Sequence, residues 1–200
     1  MKTLFLFAHG AGAGSRHPWM DAWAAALKDL GTVVRFDYPY MAAGRKAPDR
    51  LPKLLVAHRE ALEAALAKHR PQRVILIGKS MGSRVGCHLS NQEDVEVAGV
   101  VCLGYPLKAP SKTAKVRDEV LLALRTPILF VQGTRDRLCP LELLAEVRPK
   151  MQAPNALHVV EEGDHSLKIT KRHTKATGET QAESDAAALQ AVASWLEGVA

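Results

Sequence analysis

The stretch Arg73-Val74-Ile75-Leu76-Ile77-Gly78-Lys79-Ser80-Met81-Gly82 decides how the chain is read. Val74 to Ile77 is a run of β-branched and aliphatic residues, the composition of a buried strand. It meets Gly78-Lys79-Ser80-Met81-Gly82 with no spacer, and a helix-like stretch from Met81 to Ser90 follows. Strand, sharp turn and helix with a serine at the turn make the pattern G-x-S-x-G, a nucleophile elbow. Such a turn holds its serine in a strained backbone conformation, at a cost on the order of 1–3 kcal/mol. The neighbouring chain passes so close that the positions two before and two after must be small, and Gly78 and Gly82 satisfy this. Two other readings compete for the same letters. Gly78-Lys79-Ser80 is also the tail of a phosphate-binding loop, but that motif needs glycine where Arg73 stands and a flexible loop where the strand runs. A tight turn with an idle serine is the bland alternative, and only the rest of the chain separates it from the elbow.

Outward from the elbow, short apolar runs alternate with helical spacing. Strands are predicted at 4–8, 33–36, 95–103, 128–131 and 156–160, besides the elbow strand. Helices are predicted at about 19–30, 54–69, 81–90, 118–124, 140–147 and 182–197, with loops at 41–52 and 166–181. This alternation predicts the α/β class, a single domain over residues 1–200 with a mostly parallel sheet of about six strands and helices on both faces. In such sheets ligands bind at the carboxyl ends of the strands. His9, Tyr40, Ser80, Tyr105, Asp136 and His165 all fall just after predicted strands, and that shared edge is the candidate active site.

Composition sets bounds. The chain has 200 residues, 47% hydrophobic and 24% charged, as in an ordinary soluble globule. Leu4 to Ala8 is too short for a signal-peptide core and glycines follow it, so a first buried strand is expected. No stretch reaches the ~20 apolar residues of a membrane span, and a cytoplasmic protein is expected. Cys87, Cys102 and Cys139 are odd in number and without C-x-x-C spacing, which predicts reduced buried thiols and no metal site. The net charge of +6 raises a nucleic-acid reading. The basic residues are scattered, however, apart from Lys168, Lys171, Arg172, His173 and Lys175, and this cluster lacks interleaved aromatics. It is read as a solvated loop, with no nucleic-acid partner.

A serine hydroxyl is a poor nucleophile near neutral pH and needs a base, which in turn needs an orienting group. Histidine suits the base role because imidazole titrates near neutrality. His165, in Glu161-Glu162-Gly163-Asp164-His165-Ser166, follows the last strand, which fits the chain order Ser, acid, His. His17, His58, His69 and His173 are assigned to helices or polar loops, His88 points away from the mouth and His158 is packed in a strand. Asp136 closes the preceding strand in a Gly-Thr-Arg-Asp turn and is the expected acid, with Asp164 as second choice. The oxyanion donors are expected at the amides of Met81 and Ala11, the latter from the loop His9-Gly10-Ala11-Gly12. The same glycines raise a dinucleotide fingerprint, which fails because Ser15 stands where its third glycine belongs. No cofactor is expected. Tyr40, Met41, Tyr105 and Leu107 are expected to line the mouth, with capping of the sheet edge as the alternative. Lys79 is expected to face solvent, with contact to an acidic substrate group as the alternative.

Taken together, His9-Gly-Ala-Gly-Ala, Phe36-Asp-Tyr-Pro-Tyr, Gly78-Lys-Ser-Met-Gly-Ser-Arg, Gly104-Tyr-Pro-Leu, Gln132-Gly-Thr-Arg-Asp and Gly163-Asp-His-Ser resemble the α/β-hydrolase superfamily. Within it the chain is similar to small, capless hydrolases of the dienelactone-hydrolase type. Most similar is the group with the testis-expressed and non-specific-lethal-complex subunit 3 hydrolase-like proteins and their bacterial relatives. The resemblance implies a Ser80-Asp136-His165 triad that cleaves a small-molecule ester or thioester through an acyl-enzyme. The chain departs from the full superfamily pattern by starting at the strand that carries the oxyanion loop. A sheet without the two usual leading strands, no large lid, and a shallow, open site with weak substrate selection are therefore expected. A non-catalytic interaction subunit that keeps the fold is the rival reading, and monomer and homodimer both stay open.

Overall fold

The structure is a computed structural model that describes residues 2–109, 111 and 113–199. Six strands form one sheet: β1 (Thr3–Ala8), β2 (Thr32–Phe36), β3 (Arg73–Lys79), β4 (Gly99–Leu103), β5 (Ile128–Gly133) and β6 (Asn155–Val160). Their order is β2-β1-β3-β4-β5-β6, and every pairing is parallel. Parallel strands covered on both faces read as continuous apolar runs, which is why Leu4–Ala8 and Val74–Ile77 carry no polar alternation. Alternate residues divide between the two faces. Leu4, Leu6, Val74, Leu76, Val100, Cys102, Ile128 and Phe130 join a core with α3 (Leu51–His69), α4 (Met81–Ser90), α5 (Glu119–Ala123) and α6 (Leu141–Val147). Phe5, Phe7, Ile75, Ile77, Val101, Leu103, Leu129 and Val131 pack on the other face against α1 (Pro18–Leu27) and α8 (Gln181–Glu197).

Three predicted boundaries move. The strand expected from Val95 starts at Gly99, whose missing side chain admits the Trp195 ring of α8: a Cβ there would lie 2.4 Å from it. The loop expected over 41–52 is shorter, because α2 (Pro39–Ala42) precedes it and α3 begins at Leu51 with a proline in its first turn. The basic loop expected over 166–181 contains α7 (Lys171–Thr177), capped by the Thr170 hydroxyl and ended by left-handed Gly178. Serine and threonine at the N-cap and glycine just past the end are the local signals for that helix.

The strand order reverses direction between β1 and β3. That switch point opens a crevice at the carboxyl ends of the two strands, and the loop after β1 and the turn after β3 flank it. Behind the first loop lies a buried aromatic layer. Tyr38 and Tyr40 are fully buried, and the Tyr38 hydroxyl lies 3.1 Å from Nδ1 of His58, itself wholly buried on α3. His58 thus lies on the expected helix, on the side that faces the core. Burial pushes its pKa down to about 3, with the neighbouring His9 adding to the effect, so the ring is neutral in the fold. The unfolded chain takes up this proton near pH ~6.5, so between about pH 6.5 and about pH 3 the unfolded state binds more protons. Stability is thus lost as pH falls through that window. His58→Gln is expected to remove roughly 2–3 kcal/mol of the loss between about pH 7 and about pH 4.5; urea unfolding of both proteins at the two pH values checks this.

Candidate active site

At the end of β3, Ser80 has φ 50° and ψ −112°, a conformation that side-chain-bearing residues rarely adopt. The sequence tolerates it because of the glycines on either side. A Cβ on Gly78 would lie 2.3 Å from the Gly82 carbonyl carbon, and one on Gly82 would lie 2.5 Å from the Ala8 carbonyl oxygen. The Ser80 amide donates to the Leu103 carbonyl at 3.1 Å, tying the turn to β4. Held this way, the Ser80 hydroxyl faces the crevice. Met81 opens α4, where a first-turn amide has no intrahelical acceptor and the helix end carries positive potential.

His165 stands across from the serine. Its Nε2 is 2.7 Å from Ser80 Oγ and its Nδ1 is 2.7 Å from Asp136 Oδ2. The carboxylate can only accept from Nδ1–H, which leaves Nε2 free to accept the serine proton. Asp136 is buried at 2% exposure and its oxygens are well supplied with donors. The Leu138 amide donates to Oδ1 at 2.8 Å, and the Gln132 side-chain amide donates to Oδ2. Gln132, fully buried at the end of β5, also accepts from the Tyr105 amide at 3.0 Å. Sequence reasoning missed it, although its place at the carboxyl end of a strand was the available signal. Asp164, the second-choice acid, is used otherwise: its Oδ1 accepts from the amides of Ser166 (2.7 Å) and Lys168 (3.1 Å) and fixes the turn that carries His165.

The β1 loop closes the third side. Gly10 lies beside the serine, where a Cβ on it would stand in ordinary contact at 3.6 Å from Ser80 Cβ. Two buried side chains hold its carbonyls from behind. His9 Nδ1 donates to the Gly10 carbonyl at 2.7 Å, while its Nε2 accepts from the Tyr38 amide at 3.1 Å. Burial lowers the His9 pKa, which agrees with a neutral ring in this tautomer, and the Asp37 carboxylate 3.7 Å from Nε2 makes no ion pair with it. The Tyr40 hydroxyl donates to the Ala11 carbonyl at 3.0 Å, with the Gly10 carbonyl at 3.3 Å. In a trans peptide the N–H points opposite to the C=O. Carbonyls drawn toward His9 and Tyr40 therefore turn the Ala11 and Gly12 amides the other way. Neither His9 nor Tyr40 was expected in this role. Tyr40→Phe is expected to lower kcat about fivefold with the fold intact, the effect of one lost hydrogen bond of about 1 kcal/mol; steady-state kinetics and a thermal melt test it together.

The cavity over Ser80 measures about 380 Å³ and is lined by Gly10 to Ala13, His17, Trp19, Met20, Lys79, Leu138, His165, Ser166 and Lys168. The four residues expected at the mouth do not line it. Tyr40, Tyr105 and Leu107 are fully buried, and Met41 is half-buried beside Gly14. Tyr105 lies edge-on to Phe130 and turns its hydroxyl to the Arg117 carbonyl at 3.4 Å. Large aromatics gain most from complete burial when the hydroxyl finds a partner, and both tyrosines do. Lys79 does not face solvent either. Its Nζ donates to the His165 carbonyl at 3.0 Å and sits 4.8 Å over the Trp19 ring. Burial outweighs the nearby Asp164 and Asp136 and pulls its pKa down to about 8. The Trp19 indole N–H donates to the Ser166 carbonyl at 2.9 Å, so α1 and β3 together brace the histidine turn. Among the described residues no three His, Cys, Asp or Glu side chains are grouped to hold a metal ion, and no helix is long and apolar enough to cross a membrane.

A sheet of this order with serine, histidine and carboxylate at its carboxyl edge defines a hydrolase architecture. Residues 1–197 match the family model of the alpha/beta hydrolase domain, and the chain belongs to that family. Solved structures with the same fold include a dienelactone hydrolase from Anabaena variabilis (18% identity, 99% of this chain, 87% of that one, TM-score 0.72). An esterase of Pyrococcus furiosus is similar at 17% identity over 99% of this chain and 81% of that one, with TM-score 0.72. An esterase domain from Rhodothermus marinus is similar at 19% identity over 98% and 87%, with TM-score 0.66.

Proposed function

We propose that the protein is a cofactor-independent serine hydrolase acting on a small-molecule carboxylic ester or thioester. The observation that carries this reading is His165 bridging Ser80 and Asp136 at 2.7 Å on each side, at the floor of an open cavity. Ser80 Oγ attacks the substrate carbonyl while His165 Nε2 takes its proton, with Asp136 orienting the ring and balancing its charge. The amides of Met81 and Ala11 receive the oxyanion; one such donor is worth roughly a hundred- to a thousandfold in rate. His165 then gives the proton to the departing alcohol or thiol. Water, deprotonated by the same nitrogen, attacks the acyl-enzyme and frees the acid.

Within the family we place the chain beside the testis-expressed and non-specific-lethal-complex subunit 3 hydrolase-like group, on the motifs from His9 to His165 quoted above. A cytoplasmic setting is part of the proposal. It is supported by three buried cysteines that make no disulfide, including Cys87 and Cys102 with their sulfurs 3.9 Å apart. Labelling with a fluorophosphonate probe tests the hydrolase reading. Wild-type protein should be labelled and Ser80→Ala should not. An unlabelled wild type would favour a non-catalytic subunit that keeps the fold.

A further inference from the structure

The cavity over Ser80 has a one-sided charge. Two lysines, Lys79 and Lys168, line it, and among the described residues no carboxylate does. The two acids whose charge reaches Lys79, Asp164 and Asp136, do not line the cavity and accept hydrogen bonds elsewhere. Asp136 serves His165, Gln132 and the Leu138 amide, and Asp164 serves the Ser166 and Lys168 amides. Lys79 is largely withdrawn from water, yet its one acceptor among the described residues is the neutral carbonyl of His165. Its Nζ also stands over the Trp19 ring, and among the described residues no carboxylate is hydrogen-bonded to it. The lowered pKa is what burial without a direct counter-ion produces, and a bound anion would raise it again. Lys168, exposed at the rim, leads through Ile169 and Thr170 into α7, where Lys171, Arg172 and Lys175 are also exposed. In the chain these charges follow Lys168 directly, although His173 is paired with Glu179 at 2.7 Å. Positive charge at the mouth of a cleft draws oppositely charged substrates inward, and Lys168 is the member of this cluster that lines the cavity.

We propose that the substrate is an ester or thioester carrying an anionic group, a carboxylate or phosphate, away from its reacting carbonyl, and that Lys79 and Lys168 receive this group. The inference rests on Ser80 as nucleophile and adds the substrate's charge. Trp19 and Leu138 supply the apolar wall for the carbon chain between the two ends.

The test compares the mono(4-nitrophenyl) ester of adipic acid with its methyl-capped diester, which removes the charge and keeps the chain. Wild-type protein should favour the half-ester by about tenfold or more in kcat/KM, the effect of one charge-assisted contact. The preference should shrink between about 10 mM and about 150 mM salt as screening shortens the reach of the field. Lys168→Met and Lys79→Met should each cut the ratio of the two esters severalfold, whereas Lys168→Arg should keep it. In parallel, Ser80→Ala protein, which does not acylate, should bind the half-ester about tenfold more tightly by calorimetry. Equal turnover and equal binding of the two esters would overturn the charge inference and leave the hydrolase standing. Preferential binding of the half-ester without nitrophenol release from either ester would do the reverse. A preference that survives both methionine variants would show that the lysines are not its source.

Discussion

Ser80→Ala is expected to lower kcat by roughly 10³- to 10⁶-fold, the range seen when a nucleophile is removed from a working triad. The fold should survive, because among the described residues the hydroxyl bonds only His165 and gives no cap to α4. The backbone sharpens the test. Alanine at φ 50° inherits the strain of the serine, but glycine does not. Ser80→Gly should therefore be as inactive as Ser80→Ala yet unfold at an equal or higher temperature, since relief of about 1–3 kcal/mol of strain offsets the flexibility glycine adds to the unfolded chain. A residue whose removal leaves stability level or raised while turnover vanishes is held in place for its chemistry. Hydrolysis of 4-nitrophenyl acetate and a thermal melt of both variants suffice, and a Ser80→Ala protein that keeps its turnover would require another nucleophile.

Asp136→Asn is expected to cost about 10⁴-fold in kcat with little change in the surrounding structure. The hydrogen bonds say why. Asp136 accepts on both oxygens, from His165 Nδ1 and the Gln132 amide on one and from the Leu138 amide on the other. An asparagine has one acceptor and one donor to offer this ring of donors. With its NH2 toward His165, the imidazole must accept at Nδ1 and carry its proton on Nε2, where it can no longer take one from Ser80. With its NH2 toward Leu138, two donors face each other and a buried bond is lost, for about 1–3 kcal/mol. Kinetics on an activated ester measure the first cost and urea unfolding the second. Wild-type turnover in Asp136→Asn would count against this carboxylate as the orienting group.

The sheet and the elbow were readable because their cause is local. A buried parallel strand needs an unbroken apolar run, and a turn crossed by Ala8 at 2.5 Å from a would-be Cβ of Gly82 needs glycine. Asp136 and His165 were readable because each follows a strand, and the parallel topology brings every strand end to one edge. The direction a side chain takes beyond that edge is not local. Tyr40 and Tyr105 follow strands as His165 does, and the same letters serve a residue that points to the mouth or one that points to the core. What turned them inward were acceptors distant in sequence: the carbonyls of Gly10 and Ala11 for Tyr40, and that of Arg117 for Tyr105. Lys79 was misplaced for the same reason, since its partners are Trp19 on α1 and the His165 carbonyl. Helix α7 differs, because Thr170 and Gly178 were visible as caps, and the density of charge between them obscured the helix.

Strand β6 pairs only with β5, is half-buried for most of its length, and immediately precedes the turn that bears His165. Ser80 by contrast projects from β3, between two other strands in the middle of the sheet. The proposed nucleophile and its proposed base thus belong to regions that open at different free energies, since an edge strand frays more readily than a central one. Loosening of β6 with α8, which packs on it, would carry the imidazole away from an elbow that is still folded. Mild heat or denaturant would then silence the protein reversibly before it melts. An acyl group on Ser80 that fills the space between the two halves would fasten the edge to the centre, so that the intermediate of the reaction is the form in which the molecule holds together best.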